Sequence, residues 1–302
     1  MSFPYGMRPS AWLPMRSMPT EIHAWMRAAR ETLGHLDPND SLELQTLVGF
    51  VLEKPRSWVL AHPESLLNDS QLNTLERLLG RLVKGEPLAY LTEQKEFYGL
   101  GFWVNRDVLV PRPETELLVE LGLNWLQAHP GRRKAVDVGT GSGCIAAALA
   151  YHVPDLQVTA VDFSRPALRV ARKNIKSLGL SERVRLVQAD LLGGVTGRVD
   201  LICANLPYIP TGIFQMLAVA DHEPRLALDG GKDGLVLIQR LIKSVRPHLN
   251  PGGLLLLEIE AGQGERVPMI ARKALPGAEV RLIYDLTGKA RVVRVEDRSS
   301  LM

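Results

Sequence analysis

The sequence contains few of the residues that mark specialised classes of protein. Its 302 residues include only two cysteines, Cys144 and Cys203, so a disulfide framework and a CxxC metal motif are both excluded. The seven histidines are scattered along the chain, and none shows the spacing of a zinc motif. We therefore predict two buried free thiols and no bound metal.

Long apolar runs are also missing. The longest ones, such as residues 254–257, are far too short to cross a bilayer. Residues 1–18 mix proline, arginine and methionine and lack the compact apolar stretch of a signal peptide. We interpret residues 1–18 as a disordered extension, and we expect a cytoplasmic protein with no membrane association.

A strong charge bias is absent as well. The net charge is +3, divided between −2 over residues 1–93 and +5 over residues 94–302. Basic clusters occur at residues 132–134 and 165–176. A solvated helix face explains them more simply than a nucleic-acid footprint, although a basic bias could still favour RNA-bound partners. We expect no direct nucleic-acid binding.

The first part of the chain has the apolar spacing of helices. Leucines recur at helical intervals between residues 70 and 84, and similar patterns begin near residues 20 and 40. These patterns predict a helical N-terminal domain over residues 19–86. Since this region has no cluster of reactive side chains, we interpret it as a recognition or support element.

The pattern changes at residue 87. Short strands at residues 97–99, 102–104 and 108–110 predict a β-hairpin linker over residues 87–110. From residue 111 a helix and then alternating strands and helices follow, which predicts an α/β domain over residues 111–302 with helices on both faces of a parallel sheet. Two consecutive strands at the end of the chain indicate one antiparallel edge strand.

A glycine-rich turn follows the first strand of this domain and opens its next helix. It consists of Gly139, Thr140, Gly141, Ser142 and Gly143. Glycines permit unusual backbone torsions and close approach of a ligand, and the amides at the helix start favour polar ligand atoms. Taken alone, the turn is compatible with a dinucleotide site or with a tight structural connection. Its GxGxG spacing differs from the GxGxxG dinucleotide fingerprint.

Acidic residues follow the next two strands. Asp162 could accept hydrogen bonds from both hydroxyls of a ribose, or it could cap the helix that follows. Asp190 could bind an adenine amino group with the ring packed on Leu191, or it could also be a cap. Because the carboxyl ends of parallel strands form the ligand-binding edge of an open sheet, we expect these residues to lie around one site with the glycine turn.

The sequence Asn205-Leu206-Pro207-Tyr208 follows the fourth strand. The side-chain carbonyl of Asn205 can accept a hydrogen bond from a substrate NH₂ group. Pro207 restrains the torsions of Leu206, whose backbone carbonyl becomes a plausible second acceptor. Tyr208 could stack on a planar group. The alternative is an ordinary turn after a strand, which Asn and Pro commonly form.

The four residues contain no strong base, and transfer of a methyl group to an amide or amino nitrogen requires none. No side chain deprotonates an amide nitrogen at neutral pH, so the rate of methylation must come from alignment of the nitrogen with an electrophilic methyl group and from stabilisation of the charge that develops. The pattern therefore predicts transfer of a methyl group to a planar amide or amino nitrogen.

These motifs together resemble the class I S-adenosylmethionine-dependent methyltransferases. Over nearly all of residues 20–297 the chain resembles the HemK/PrmC family of protein-(glutamine-N5) methyltransferases, through the NxPY pattern and the stretch Pro111-Arg112-Pro113-Glu114-Thr115-Glu116. The resemblance implies a helical N-terminal domain, a β-hairpin and a seven-stranded catalytic domain. It also implies that the substrate is the GGQ glutamine of peptide chain release factors, and we expect a monomer.

The resemblance also implies roles for individual residues. Residues 139–143, Asp162 and Asn205 would contact S-adenosylmethionine, and residues 205–208 would hold the glutamine. We expect Asn205, Pro207 and Tyr208 to carry the catalysis and Arg112 to contact the substrate. Two positions depart from the family pattern: Leu206 replaces the usual proline, and Leu191 stands where relatives often carry an aromatic residue.

Other functions are also compatible with the sequence. A glutamine of a ribosomal protein is the nearest alternative substrate, and adenine methylation of DNA or RNA uses the same NxPY chemistry. The net charge of −2 over residues 1–93 argues against a nucleic-acid recognition module. A nicotinamide-dependent oxidoreductase is disfavoured by the GxGxG spacing, and a non-catalytic binding module by the presence of Asn205, Pro207 and Tyr208.

Overall fold

The computed structural model describes residues 20–34, 40–214 and 222–298. The chain divides into two compact units, Met1–Lys84 and Gly85–Met302. The predicted disordered extension, residues 1–18, lies outside the described residues. The finer division into a linker over residues 87–110 and a domain from residue 111 stays a prediction. Among the described residues, no helix has the length and apolar character needed to span a membrane.

The first unit is mainly helical. Its elements are β1 (Thr20–Glu21), α1 (Ile22–Leu33), α2 (Asp40–Leu52), α3 (Arg56–Ala61), β2 (Leu66–Leu67) and α4 (Asp69–Leu82). Helix α4 begins with a capping box, in which the Asn68 side chain accepts from the Gln71 N–H and the Gln71 side chain accepts from the Asn68 N–H, both at 2.9 Å. Leucines of α2 and α4 are buried and form the core of the unit.

The second unit alternates strands and helices. Its elements are α5 (Leu88–Leu91), β3 (Gln94–Phe97), β4 (Leu100–Trp103), α6 (Glu116–Ala128), β5 (Lys134–Val138), α7 (Cys144–His152), β6 (Gln157–Asp162), α8 (Arg165–Ser177), β7 (Val184–Gln188), β8 (Val199–Ala204), α9 (Thr211–Phe214), α10 (Val236–Ser244), β9 (Leu249–Glu258), α11 (Arg266–Ala274), β10 (Glu279–Tyr284) and β11 (Ala290–Glu296). Short 3-10 turns occur at Pro113–Thr115, Arg225–Ala227 and Ala261–Gln263.

Seven strands form one mixed sheet in the order β10-β11-β9-β8-β5-β6-β7. Strands β7, β6, β5, β8 and β9 pair in parallel, whereas β11 is antiparallel to both β9 and β10. The two last strands thus bring antiparallel pairing to this end of the sheet, as predicted, but the strand that runs against the parallel ones is β11, which lies inside the sheet, and the edge strand is β10. The burial of the two strands explains this order: Val292, Val293 and Val295 of β11 are buried, whereas β10 has no fully buried residue.

The β-hairpin is shorter than the sequence pattern predicted. Strands β3 and β4 pair antiparallel around a turn at Tyr98 and Gly99, both with positive φ. The predicted strand at residues 97–99 falls largely on this turn, because β3 ends at Phe97. The predicted third strand at residues 108–110 was also wrong, since the structure gives no strand there. Val108 is nevertheless buried, and its carbonyl accepts a short hydrogen bond from the Tyr90 hydroxyl. A side chain thus satisfies this backbone group in place of a strand partner.

Helices cover both faces of the sheet. Buried residues of α6, α7 and α8 form a core with one face, and buried residues of α10 and α11 form a second core with the other. Both faces of the parallel strands are therefore covered, as expected for this class of sheet. The carboxyl ends of β5, β6, β8 and β9 open at one edge, where their loops come together.

A buried asparagine links the hairpin, helix α8 and the glycine turn. Asn174 is 1% exposed. Its Nδ2 donates to the carbonyls of Trp103 and Ser142, each at 2.9 Å, and its Oδ1 accepts from the Trp103 N–H at 2.8 Å. One side chain thus satisfies three backbone groups on two different segments.

Replacement of this side chain should destabilise the second unit. We expect Asn174→Ala to lower the free energy of unfolding by about 3 kcal/mol, because three backbone groups lose their partner. Urea unfolding followed by tryptophan fluorescence measures the change. The matched control is Arg172→Ala, at an exposed position of the same helix, which should change the value by less than about 0.5 kcal/mol. Equal values for the two variants would contradict the linking role.

Candidate active site

A cavity of about 350 Å³ lies at the carboxyl edge of the sheet. It brings together most of the residues predicted from the sequence: Arg112, Gly139, Thr140, Gly141, Ser142, Asp162, Asp190, Leu191, Asn205, Leu206 and Pro207. Two predicted residues, Gly143 and Tyr208, are not among those that line it. The cavity also has an apolar wall that includes Leu226 and Leu237.

The glycine turn needs each of its three glycines. Gly139, Gly141 and Gly143 all have positive φ, at 75°, 54° and 83°, a region that side chains disfavour. A Cβ atom on Gly143 would also lie 3.2 Å from the Cβ of Ala171. A Cβ on Gly141 would meet no atom closer than 4.0 Å and would enter the space of the cavity. The turn therefore leaves room for a ligand against its backbone.

A buried carboxylate beneath the turn holds it in place. Asp137 is fully buried in β5, and its Oδ2 accepts from the Thr140 hydroxyl at 2.6 Å and from the Ala146 N–H at 3.1 Å. Its Oδ1 has no hydrogen-bond partner among the described residues, and burial raises the pKa of Asp137 to about 7. This residue was not predicted from the sequence, although a carboxylate between two valines of a buried strand was the available signal.

Asp162 connects the turn to the next loop. Its Oδ2 accepts from the Gly141 N–H and its Oδ1 from the Ser164 N–H, both at 2.8 Å. Burial raises the pKa of Asp162, and the backbone hydrogen bonds act in the opposite direction. The cap of α8 is Ser164, whose side chain accepts from the Ala167 N–H. Asp162 is thus free of the capping role and still has lone pairs that could accept hydrogen bonds from ribose hydroxyls.

The loop after β7 supplies a second wall of the cavity. Leu191 lies in the left-handed region, with φ of 50°, a conformation that costs free energy for a side chain of this size. Asp190 forms an ion pair with Arg240, with 2.5 Å between Oδ2 and Nη2. An adenine amino group at Asp190 would therefore share this carboxylate with Arg240.

The loop after β8 is fixed by its own backbone contacts. Ile209 donates to the Leu228 carbonyl at 3.0 Å and accepts from the Gly230 N–H at 2.8 Å, and the Gln263 side chain donates to the Tyr208 carbonyl at 3.2 Å. A Cβ atom on Gly230 would lie only 2.7 Å from the Pro207 carbonyl oxygen. This glycine therefore permits the two segments to approach closely.

Asn205 and Leu206 face different neighbours at the start of this loop. The Asn205 Nδ2 donates to the Thr115 hydroxyl at 3.0 Å, which leaves its Oδ1 as the atom that can accept from a substrate. The Leu206 side chain is buried, and its Cδ2 lies 3.1 Å from the position of a Cβ on Gly139. The side chain of Leu206 therefore packs on the glycine turn, and Leu206 is also one of the residues that line the cavity.

Tyr208 lies just beyond the cavity lining and is partly buried. Burial raises the pKa of Tyr208 to about 12, and the neighbouring charge of Glu258 adds to this effect. The ring therefore carries a neutral hydroxyl at physiological pH. Its role in stacking on a substrate stays a prediction.

A second carboxylate that the sequence analysis missed lies beside Asn205. Glu258 ends β9 and is 2% exposed. Burial raises the pKa of Glu258 to about 7, whereas hydrogen bonding from Thr115, the charge of Arg291 and hydrogen bonding from Asn205 lower it. The available signal was again a charged residue at the end of a run of leucines.

Arg112 is held by a buried acid. Its Nη2 lies 2.7 Å from the Oε2 of Glu223, whose side chain is 1% exposed, whereas the Arg112 side chain is 38% exposed. Burial raises the pKa of Glu223, and the charge of Arg112 opposes the shift. The guanidinium is therefore fixed at the cavity with part of its surface still available to a substrate.

Both cysteines are buried free thiols, as predicted. Burial raises the pKa of Cys144 to about 12 and that of Cys203 well above its usual range, so neither is a reactive thiolate. In the part of the chain that the structure describes, no group of three His, Cys, Asp or Glu side chains is arranged to hold a metal ion.

Comparison with known proteins places this site in a family. Residues 24–92 match the PrmC N-terminal domain and residues 115–220 match the Methyltransferase small domain. A release factor glutamine methyltransferase from Moorella thermoacetica is 40% identical over 252 residues, which cover 83% of this chain and 89% of that protein. One from Koribacter versatilis is 38% identical over 275 residues, covering 88% and 96%.

The fold is also similar to that of a methyltransferase of known structure. A crystal structure of a methyltransferase from Pyrococcus furiosus aligns with a TM-score of 0.51 at 22% identity, covering 72% of this chain and 98% of that one. The predicted class I methyltransferase fold and the predicted HemK/PrmC relationship are thereby confirmed. With these identities over most of both proteins, the chain belongs to the release factor glutamine methyltransferase family.

Proposed function

We propose that this enzyme transfers a methyl group from S-adenosylmethionine to the side-chain amide nitrogen of the GGQ glutamine in peptide chain release factors. The observation that carries the proposal is the orientation of Asn205. Its Nδ2 is engaged by Thr115, so Oδ1 is the atom presented to an amide NH₂ group at the cavity. The names of the relatives support the choice of substrate.

The cavity fits the methyl donor. The backbone of residues 139–143 leaves space that a Cβ on Gly141 would fill, and Asp162 and Leu191 line the same space with a carboxylate and an apolar surface. We assign Asp162 to the ribose hydroxyls, and Asp190 and Leu191 to the adenine. When bound, S-adenosylmethionine supplies a methyl group activated by a positively charged sulfur.

The acceptor loop orients the glutamine amide. Asn205 Oδ1 and the Leu206 carbonyl accept its two hydrogens, and Tyr208 packs against its plane. These acceptors bind more strongly as positive charge develops on the nitrogen, which is the condition for stabilising the transition state more than the ground state. The amide nitrogen would gain the methyl carbon as the bond from that carbon to sulfur breaks, with S-adenosylhomocysteine as the leaving product, and the nitrogen would then lose one proton to water. The remaining rate enhancement comes from alignment, and no side chain acts as a strong base, because the methylated nitrogen is acidic while it carries positive charge.

The surroundings of the site suggest how the partner is held. We assign Arg112 to a substrate contact, because Glu223 fixes its guanidinium at the cavity. We further propose that the enzyme acts as a monomer, binds no nucleic acid directly and works in the cytoplasm, where translation terminates. The net charge of −2 over residues 1–93 supports a protein partner over a nucleic acid.

The substrate can be tested directly. Purified enzyme, S-adenosylmethionine labelled in its methyl group and a release factor should yield a labelled release factor, with one methyl group on the GGQ glutamine. A release factor with alanine in place of that glutamine is the matched control and should remain unlabelled. Equal labelling of the two proteins would contradict the proposed acceptor. If ribosomal protein were labelled and release factor were not, methylation of a ribosomal-protein glutamine would be favoured.

The role of Asn205 predicts a defect in turnover. We expect Asn205→Ala to lower kcat by about a hundredfold or more, because it removes an acceptor that is aimed at the reacting nitrogen. Asn124→Ala, at an exposed position of α6, is the control and should match the wild type. Single-turnover kinetics at saturating donor measures the effect. Unchanged turnover of Asn205→Ala would place the chemistry elsewhere.

The departure at position 206 should matter little for the chemistry. The proposed acceptor is the backbone carbonyl, and Pro207 already restrains this residue. We therefore expect Leu206→Pro to change kcat by less than about fivefold, as measured in the same assay. A gain of orders of magnitude would show that Leu206 impairs the loop. Leu206→Ala separates an effect of side-chain packing on Gly139 from an effect of the proline ring.

A further inference from the structure

Glu258 and Asn205 occupy adjacent strand ends. In the parallel pairing of β8 with β9, Ala204 lies opposite Leu257, so the residues that follow them are neighbours at the carboxyl edge of the sheet. Thr115 joins them from the turn before α6 and is 3% exposed. The structure thus places a carboxylate, a hydroxyl and an amide together behind the acceptor loop.

The carboxylate determines which of these three groups donate hydrogen bonds and which accept them. An ionised Glu258 can only accept hydrogen bonds. Thr115 and Asn205 both lie close enough to Glu258 to lower the pKa of its carboxyl, and the buried Glu258 Oε2 has no hydrogen-bond partner among the described residues. An ionised Glu258 therefore favours the orientation of the Thr115 hydroxyl that aims its single hydrogen at the carboxylate. The Thr115 oxygen is then an acceptor for Asn205 Nδ2, which lies 3.0 Å away.

These donor and acceptor roles determine which end of the Asn205 amide faces the substrate. A side-chain amide can rotate by half a turn, which exchanges its oxygen and nitrogen. The rotated form would place the Asn205 oxygen beside the Glu258 carboxylate and a lone pair of Thr115, where no hydrogen is available. An ionised Glu258 therefore selects the orientation with Oδ1 toward the cavity.

We propose that Glu258 is a positioning residue for methyl transfer, because its carboxylate, with Thr115, orients the Asn205 amide toward the acceptor nitrogen. The inference rests on the proposed function and deepens it. Glu258 acts through Asn205 and Thr115. Its loss should therefore affect turnover and leave the binding of the methyl donor intact.

The groups that face Glu258 come from several elements. Arg291 of β11 stabilises its charge, whereas Glu114 before α6 opposes it; Tyr208 of the acceptor loop and Cys144 of α7 have pKa values raised in part by its charge. Burial raises the pKa of Glu258 to about 7. As the pH falls through this value, Glu258 gains a hydrogen and can donate to Thr115, so the selection among amide orientations is lost.

The first test is Glu258→Gln, which keeps the size of the side chain but can donate hydrogen bonds. We expect kcat at saturating donor and release factor to fall about tenfold or more, with the donor Kd and the release-factor KM within about twofold of wild type. The wild-type kcat should fall below about pH 7, and the variant should lose this dependence. Glu265→Gln, exposed at the start of α11, is the matched control and should behave as wild type.

The second test concerns the hydroxyl that connects the two groups. Thr115→Ser retains it and should keep kcat within about threefold, whereas Thr115→Val removes it and should match the defect of Glu258→Gln. Thermal unfolding of each variant verifies that the protein is folded before kinetics are compared. Calorimetric titration with S-adenosylmethionine verifies donor binding.

The possible failures can be told apart. If the wild type methylates release factor and Glu258→Gln keeps its kcat and its pH profile, the positioning role is overturned while the proposed function stands. A folded Thr115→Ser variant as impaired as Thr115→Val would likewise overturn it, because the hydroxyl would then be irrelevant. If the wild type fails to label release factor at all, the proposed function fails first and the inference fails with it.

Discussion

A carboxylate removed from water loses favourable hydration, and it is retained inside a protein only where hydrogen-bond donors replace that water. Asp137 and Glu258 are buried and Asp162 is partly buried, and all three lie near the carboxyl ends of strands of the same sheet. Asp137 accepts from the Thr140 hydroxyl and Asp162 from the Gly141 N–H, and Glu258 lies beside Thr115 and Asn205, which lower the pKa of its carboxyl. Each buried acid is therefore stabilised only while the loop beside it keeps its conformation, and the shape of the cavity depends on these loops.

The fold was largely readable from local patterns. Strands and helices alternate after residue 111 as the sequence predicted, because short apolar strand patterns there are separated by segments with helical spacing. The position of β11 inside the sheet was not readable, since strand order depends on which strand is buried by its neighbours. The strand prediction for residues 108–110 failed for a related reason: Val108 and Val110 are buried as in a strand, but the Val108 carbonyl pairs with the Tyr90 hydroxyl and with no strand.

The sequence predicted only part of the candidate site. Residues 139–143, Asp162 and residues 205–207 follow strands in a regular order, and the topology of a parallel sheet brings such residues together. Glu258 and Glu223 were missed because their partners, Thr115 and Arg112, are distant in sequence. A single sequence shows which residues end strands, but it does not show which of them become neighbours across the sheet edge.

The contact between Leu206 and Gly139 ties the donor side of the cavity to the acceptor side. A methyl group at position 139 would lie 3.1 Å from the Leu206 side chain, so volume added to one loop must be removed from the other. Substitutions at these two positions are therefore non-additive. In evolutionary terms such a pair is epistatic, because a leucine at position 206 narrows the set of residues that the turn could accept at position 139.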